Sequence, residues 1–111
     1  MLVTSNYKKN DIISIKLSTG EEVVARFDRQ VHSSLDVVKP TVLTLNPQNG
    51  QVMLIPWLMS IDAHSTDPVQ IKDTQIVALG KPTKAIADVY MKGSSGITMP
   101  SSDNVSAMIR Q

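Results

Sequence analysis

The clearest pattern in the chain is the alternation Asp11-Ile12-Ile13-Ser14-Ile15-Lys16-Leu17-Ser18, in which Ile13, Ile15 and Leu17 are separated by Ser14 and Lys16. A period of two predicts a strand with one buried face. Thr19-Gly20 supplies a tight turn. Residues 21–31 then resume the extended pattern, with Val23, Ala25 and Phe27 on one side and Arg26 and Asp28 on the other, so the two runs predict a hairpin.

Past His32-Ser33-Ser34, residues 35–45 are rich in β-branched side chains but interrupted by Pro40. Proline cannot donate to a ladder, which predicts a kink or a sheet edge there. Asn46-Pro47-Gln48-Asn49-Gly50 is the strongest turn signal, because Asn-Gly readily adopts positive φ. A strand over 51–61 follows, with Pro56 as a bulge or an unpaired position in its middle. A polar loop over 62–68 leads to two further runs, 69–73 and 74–79, for about five or six short strands in all. After Gly80 the period changes. Ile86, Val89 and Tyr90 fall on one helical face, Pro82 suits a first turn and Gly93 a stop. A helix over 82–92 is predicted, packing Ile86 and Val89 on the open end of a small barrel.

The expected organisation is an N-terminal segment (1–10), a barrel (11–80), a helix (81–93) and a loosely ordered tail (94–111) rich in Gly, Ser, Pro, Asp and Asn. In 111 residues, 41% apolar and 19% charged, the composition is that of a globular domain. The longest apolar stretch, 52–59, contains Pro56 and is far too short to span a bilayer. The first residues lack a charged region followed by an apolar block, so a cytoplasmic protein is expected. With no cysteine, disulfides and Cys-based metal sites are excluded. A net charge of +1 gives no general attraction to nucleic acid.

Five short, bent strands joined by hairpins suit small barrels of the SH3 or OB kind. The segment 13–38, Ile-Ser-Ile-Lys-Leu-Ser-Thr-Gly-Glu-Glu-Val-Val-Ala-Arg-Phe-Asp-Arg-Gln-Val-His-Ser-Ser-Leu-Asp-Val-Val, resembles the first motif of the Sm-like proteins, which include eukaryotic Sm and Lsm proteins and bacterial Hfq. The likeness lies in the alternating strand, the turn ending in Gly20, and a second strand with a small residue at its centre, Ala25, where the family usually has glycine. It implies a mainly β protein with a small antiparallel SH3-like barrel of about five bent strands, to which the periodicity of 82–92 adds a short C-terminal helix. It also implies a homo-oligomeric ring of five to seven copies that binds single-stranded RNA. Length and trailing helix look most similar to phage-encoded Sm-like proteins, those of cyanophages among them, which places the protein in host cytoplasm.

The sequence departs from the family where RNA is read. The expected Asp-x-apolar-Asn element aligns with Val31-His32-Ser33-Ser34, and the Arg-Gly loop between the last two strands aligns with Asp62-Ala63-His64-Ser65-Thr66. The Tyr-Lys-His element of the bacterial branch and the helix before the barrel are missing. By that alignment His32 and His64 stack on bases or touch phosphate, and Ser33, Ser34 and Lys72 add hydrogen bonds and charge. Both histidines are equally ordinary as solvated loop residues. Pro56, Trp57, Leu58 and Ile76 are the candidate subunit interface, with Trp57 serving as core or anchor.

A metal site from His32, His64, Asp62 and Asp67 lacks any close ligand pair. No Gly-x-Ser-x-Gly elbow, phosphate-cradling glycine loop or His-Glu-x-x-His helix is present. Binding without a cofactor is therefore expected rather than catalysis. A ring using the same barrel for protein contacts, such as a phage assembly component, is the alternative to RNA.

Overall fold

The computed structural model describes residues 7–62 and 64–94. The elements are β1 (Ile12–Leu17), β2 (Glu22–Val31), β3 (Ser34–Leu45), β4 (Val52–Pro56), β5 (Val69–Lys72), β6 (Ile76–Gly80) and α1 (Lys84–Ser94), with a 3-10 turn, Asp73–Gln75, between β5 and β6. The protein is mainly β, an antiparallel sheet in the order β4-β3-β2-β1-β6 with β5 also on β3. No helix among the described residues is long and apolar enough to cross a membrane. Residues 1–6 and the tail beyond Ser94 lie outside the described residues.

Local sequence accounts for the turns. Gly20, at φ 100°, donates its N–H to the Leu17 carbonyl at 2.9 Å and closes the first hairpin, in which Ile13 faces Ala25 and Ile15 faces Val23. Gly50, at φ 71°, donates to the Asn46 carbonyl at 2.7 Å, while the Asn46 and Asn49 side chains accept the Gln48 and Gln51 amides at 2.9 Å. Asn and Gly stand where side-chain capping and positive φ are needed.

β3 is long enough to serve two partners on one edge. Its first half, Ser34 to Val37, pairs with β5, and its second half, Thr41 to Leu45, pairs with β4. The changeover falls at Lys39-Pro40, where Lys39 has φ 52° and the register with β2 slips opposite Ala25. The kink expected at Pro40 is thus a bulge at which β3 changes neighbour. Thr41 spans it, donating its hydroxyl to the Val24 carbonyl at 2.8 Å.

The strand expected over 51–61 ends at Pro56. Beyond it the Trp57 N–H reaches back to the Pro40 carbonyl at 3.1 Å, and the Trp57 side chain packs on the core instead of continuing the alternation. Residues 58–62 and 64–68 add no strand, so six strands form among the described residues. The helix starts at Lys84, two residues later than expected, because Thr83 caps it. Its hydroxyl accepts the Ile86 N–H at 3.3 Å, leaving Pro82 before the cap. Gly93 lies inside the helix and does not end it.

Alternation along β1 and β2 divides the apolar residues between two faces. Ile13, Ile15, Leu17, Val23, Ala25 and Phe27 join Leu35, Val37 and Ile71 in the main core, and Ile76 and Leu79 of β6 pack against it. Strands from both ends of the sheet thus share one interior. Val24 points the other way and meets Leu54 and Tyr90, with Ile12, Leu43, Ile86 and Val89 around them. The helix therefore covers the opposite face of the sheet and does not cap an open end. Val24, Leu54, Ile12 and Leu43 need apolar cover on that face, and Ile86, Val89 and Tyr90 supply it. The pairing leaves the sheet open rather than closed as a barrel, with β6 at one end and β4 and β5 at the other.

Candidate functional site

Four of the five residues expected to bind RNA come together. β2 and β3 are joined by the two-residue turn His32-Ser33, with Val31 paired to Ser34. Ser34 in turn pairs with Lys72 at the end of β5, and the Asp73 N–H donates to the Ser33 carbonyl at 3.0 Å. The turn and the β5–β6 connection are thereby fastened side by side. His32, Ser33 and Lys72 are exposed, while Ser34 is buried. The Lys72 ammonium is the cation of this group.

His64 lies elsewhere along the fold. Its connection enters β5 at Val69, which pairs with Val37, whereas the His32 turn adjoins the Lys72 end of that strand. Its N–H donates locally to the Asp62 carboxylate at 2.9 Å. The last two strands are β5 and β6, so the segment between them is Asp73–Gln75 and not 62–66. The position beside the β2–β3 turn, where the Sm resemblance leads one to look for Arg-Gly, is held by Lys72-Asp73. The repeat of Ile71 and Ile76 around Lys72-Asp73-Thr74-Gln75 was the available sequence signal. It was obscured because β5 is only four residues long and the preceding loop looked equally polar.

Behind this group, the β1–β2 turn meets Trp57. The Glu21 carboxylate is held twice, accepting the Thr19 hydroxyl at 2.7 Å through Oε1 and the Trp57 indole N–H at 3.2 Å through Oε2. Ser18 donates its hydroxyl to the Gln75 side-chain oxygen at 2.8 Å, joining the same turn to the 3-10 turn. Glu21 is thus an exposed carboxylate that accepts from two side chains.

Of the residues proposed for subunit contact, Trp57 and Ile76 pack against the main core, and Pro56 and Leu58 are half-buried. Apolar exposure lies next to them instead. Val52 and Ile55 on β4 are 39% and 40% exposed, and Val77 on β6 is 68% exposed. A bulge explains the difference: Leu17 pairs with Ile76 and Lys16 with Ala78, so Val77 is the extra residue on β6 and stands outward while Ile76 and Leu79 pack on the core. Met59 and Ile61 are exposed on the 57–68 connection, as is Leu45 at the end of β3.

Among the described residues no group of three or more His, Asp or Glu side chains is arranged to hold a metal ion. Among the described residues the most perturbed titratable group is Tyr90, on the helix and packed with Val24 and Leu54 apart from the main core. Burial pushes its hydroxyl up to about 12, with the Arg26 guanidinium pulling the other way. In comparisons with known proteins, no family model matches the chain and no curated protein matches it closely enough to indicate kinship.

Proposed function

We propose that the chain is a subunit of an Sm-like homo-oligomeric ring that binds single-stranded RNA at its β2–β3 turn and β5–β6 connection. The observation that carries this reading is the pair of open sheet edges. Among the described residues β6 pairs only with β1, and β4 only with β3. Each edge carries outward apolar side chains, Val77 at one and Val52 and Ile55 at the other. An open edge with apolar neighbours is a template for another strand, and proteins normally pair or cover such edges. Joining the β6 edge of one copy to the β4 edge of the next is a head-to-tail contact, which closes into a ring when the rotation per copy divides a full turn.

Strand order and the inward face shared by β1, β2, β3, β5 and β6 support the small-barrel reading. Ring closure then gives the RNA site a physical basis. One Lys72 per subunit is a weak attraction, but five to seven copies around an axis concentrate positive potential. His32 supplies a stackable ring in the same turn, and the Ser33 hydroxyl a hydrogen-bonding group. The test is light scattering combined with fluorescence-anisotropy titration of oligo-U and oligo-A at two salt concentrations. A mass of several chains with salt-sensitive binding is the expected result. The mass of a single chain at micromolar concentration overturns the ring, and no salt-sensitive binding to either oligonucleotide overturns the RNA function.

A second reading is a ring used for protein contacts in assembly. It is favoured by Met59, 84% exposed, and Ile61 on the same connection, which are apolar residues outside both edges. A multi-chain mass without RNA binding would select it.

A further inference from the structure

A cleft of about 260 Å³ opens beside the proposed RNA site, between the β1–β2 turn, β5 and the 3-10 turn. Its lining includes Thr19, Glu21, Trp57, Gln70, Lys72 and Gln75. The geometry points to a subsite for one guanine base. This inference rests on the RNA reading, because Lys72 belongs both to the cleft and to the group around the β2–β3 turn.

The chemistry follows from what is fixed and what remains open. Trp57 is half-buried, and its indole is held at the N–H by Glu21, so it offers a positioned aromatic surface in the cleft wall. Stacking on such a surface accepts any base. Discrimination must come from the polar groups. A carboxylate has about four acceptor sites, and two on Glu21 are occupied, one by Thr19 and one by Trp57. The remaining lone pairs ask for two adjacent N–H donors. Guanine alone presents these on its Watson–Crick edge, as N1–H beside the 2-amino group. Uracil flanks its single N–H with two carbonyls that repel a carboxylate, and adenine and cytosine set one amino group beside a ring acceptor.

Gln75 completes the match. Its oxygen accepts the Ser18 hydroxyl, which leaves its amide N–H groups to donate to a carbonyl such as guanine O6. The Lys72 ammonium is then available to a flanking phosphate.

The test uses the full chain with fluorescent RNA octamers of uridine, uridine with one central adenosine, and uridine with one central guanosine. Trp57 is the only tryptophan, so its emission reports occupancy directly. We expect the guanosine octamer to bind about tenfold more tightly than the other two and to quench Trp57 emission most strongly. Glu21→Gln should bring the three octamers within about twofold of one another, and Gln75→Ala should reduce the preference in the same direction. Equal, salt-sensitive binding of all three octamers to the unaltered protein overturns the guanine subsite and leaves the RNA reading standing. A preference that survives Glu21→Gln in a folded ring also overturns it. Binding of none of the octamers overturns the RNA reading itself.

Discussion

The Tyr90 hydroxyl donates to the Lys39 carbonyl at 2.9 Å, with the Val38 carbonyl also in reach at 3.1 Å, and so ties the C-terminal helix to the bulge of β3. Lys39 has φ 52°, a conformation that costs a non-glycine residue energy unless its surroundings hold it there. A bulge leaves backbone groups outside the ladder, and here a buried phenol from a distant element shares its one proton between the carbonyls at the bulge.

Tyr90→Phe should therefore destabilise the fold by about 1–2 kcal/mol, since the carbonyls lose a donor while the ring still packs on Val24 and Leu54. Urea denaturation followed by circular dichroism measures this. The same variant separates a pH effect. The hydroxyl is raised in the fold from 10.0 to about 12. Its contribution is fully present below pH 10, and it is lost as pH rises through 12, because the unfolded chain releases the proton first. The loss specific to Tyr90 is on the order of 2 kcal/mol, and it should vanish from the difference between the two proteins if Tyr90 does not titrate.

Asp36 is buried, and its Oδ2 accepts from the Arg29 Nε at 3.3 Å. Arg29→Met should cost about 1–3 kcal/mol by leaving a buried carboxylate without that donor. The double change Arg29→Met with Asp36→Val should recover part of the loss, because removing both charges avoids burying one alone. A thermal-melt double-mutant cycle tests this, and additive losses would refute it.

Val77→Lys places a charge on the β6 edge at a position that is 68% exposed within one chain. The isolated fold should change by less than about 0.5 kcal/mol. Light scattering should instead show the assembly falling to single chains. Retention of the multi-chain mass would move the interface away from this edge.

Lys72→Ala should weaken binding of every oligonucleotide to a similar extent and lower the salt slope by about one per Lys72 that meets a phosphate. His64→Ala should leave affinity within about twofold, as expected of a group away from the paired turns. Anisotropy titrations across a salt series compare the two directly.

The alternating run from Ile13 to Leu17, the Gly20 turn and the Asn49-Gly50 turn were legible in the sequence, because each depends on neighbours a few residues apart. So was the shared face of Val23, Ala25 and Phe27, which the alternation of the second strand places together. The ends of elements were harder. Pro56 reads as mid-strand but ends β4, since Trp57 reaches back to the Pro40 carbonyl, and Gly93 reads as a stop but is still helical one residue before the last of α1.

The candidate site shows the same division. His32-Ser33 could be read as a turn from local polarity, but its partner could not. Lys72-Asp73 stands beside it because β3 gives its first half to β5 and its second half to β4, a choice made by which apolar faces meet in the core. Local pattern was enough to place most strands, the turns and the residue types available for binding. Tertiary structure decided which loops became neighbours, which face the helix covered and which apolar residues were left outside. Those outcomes depend on contacts between segments far apart in the chain, whose energies no local pattern records.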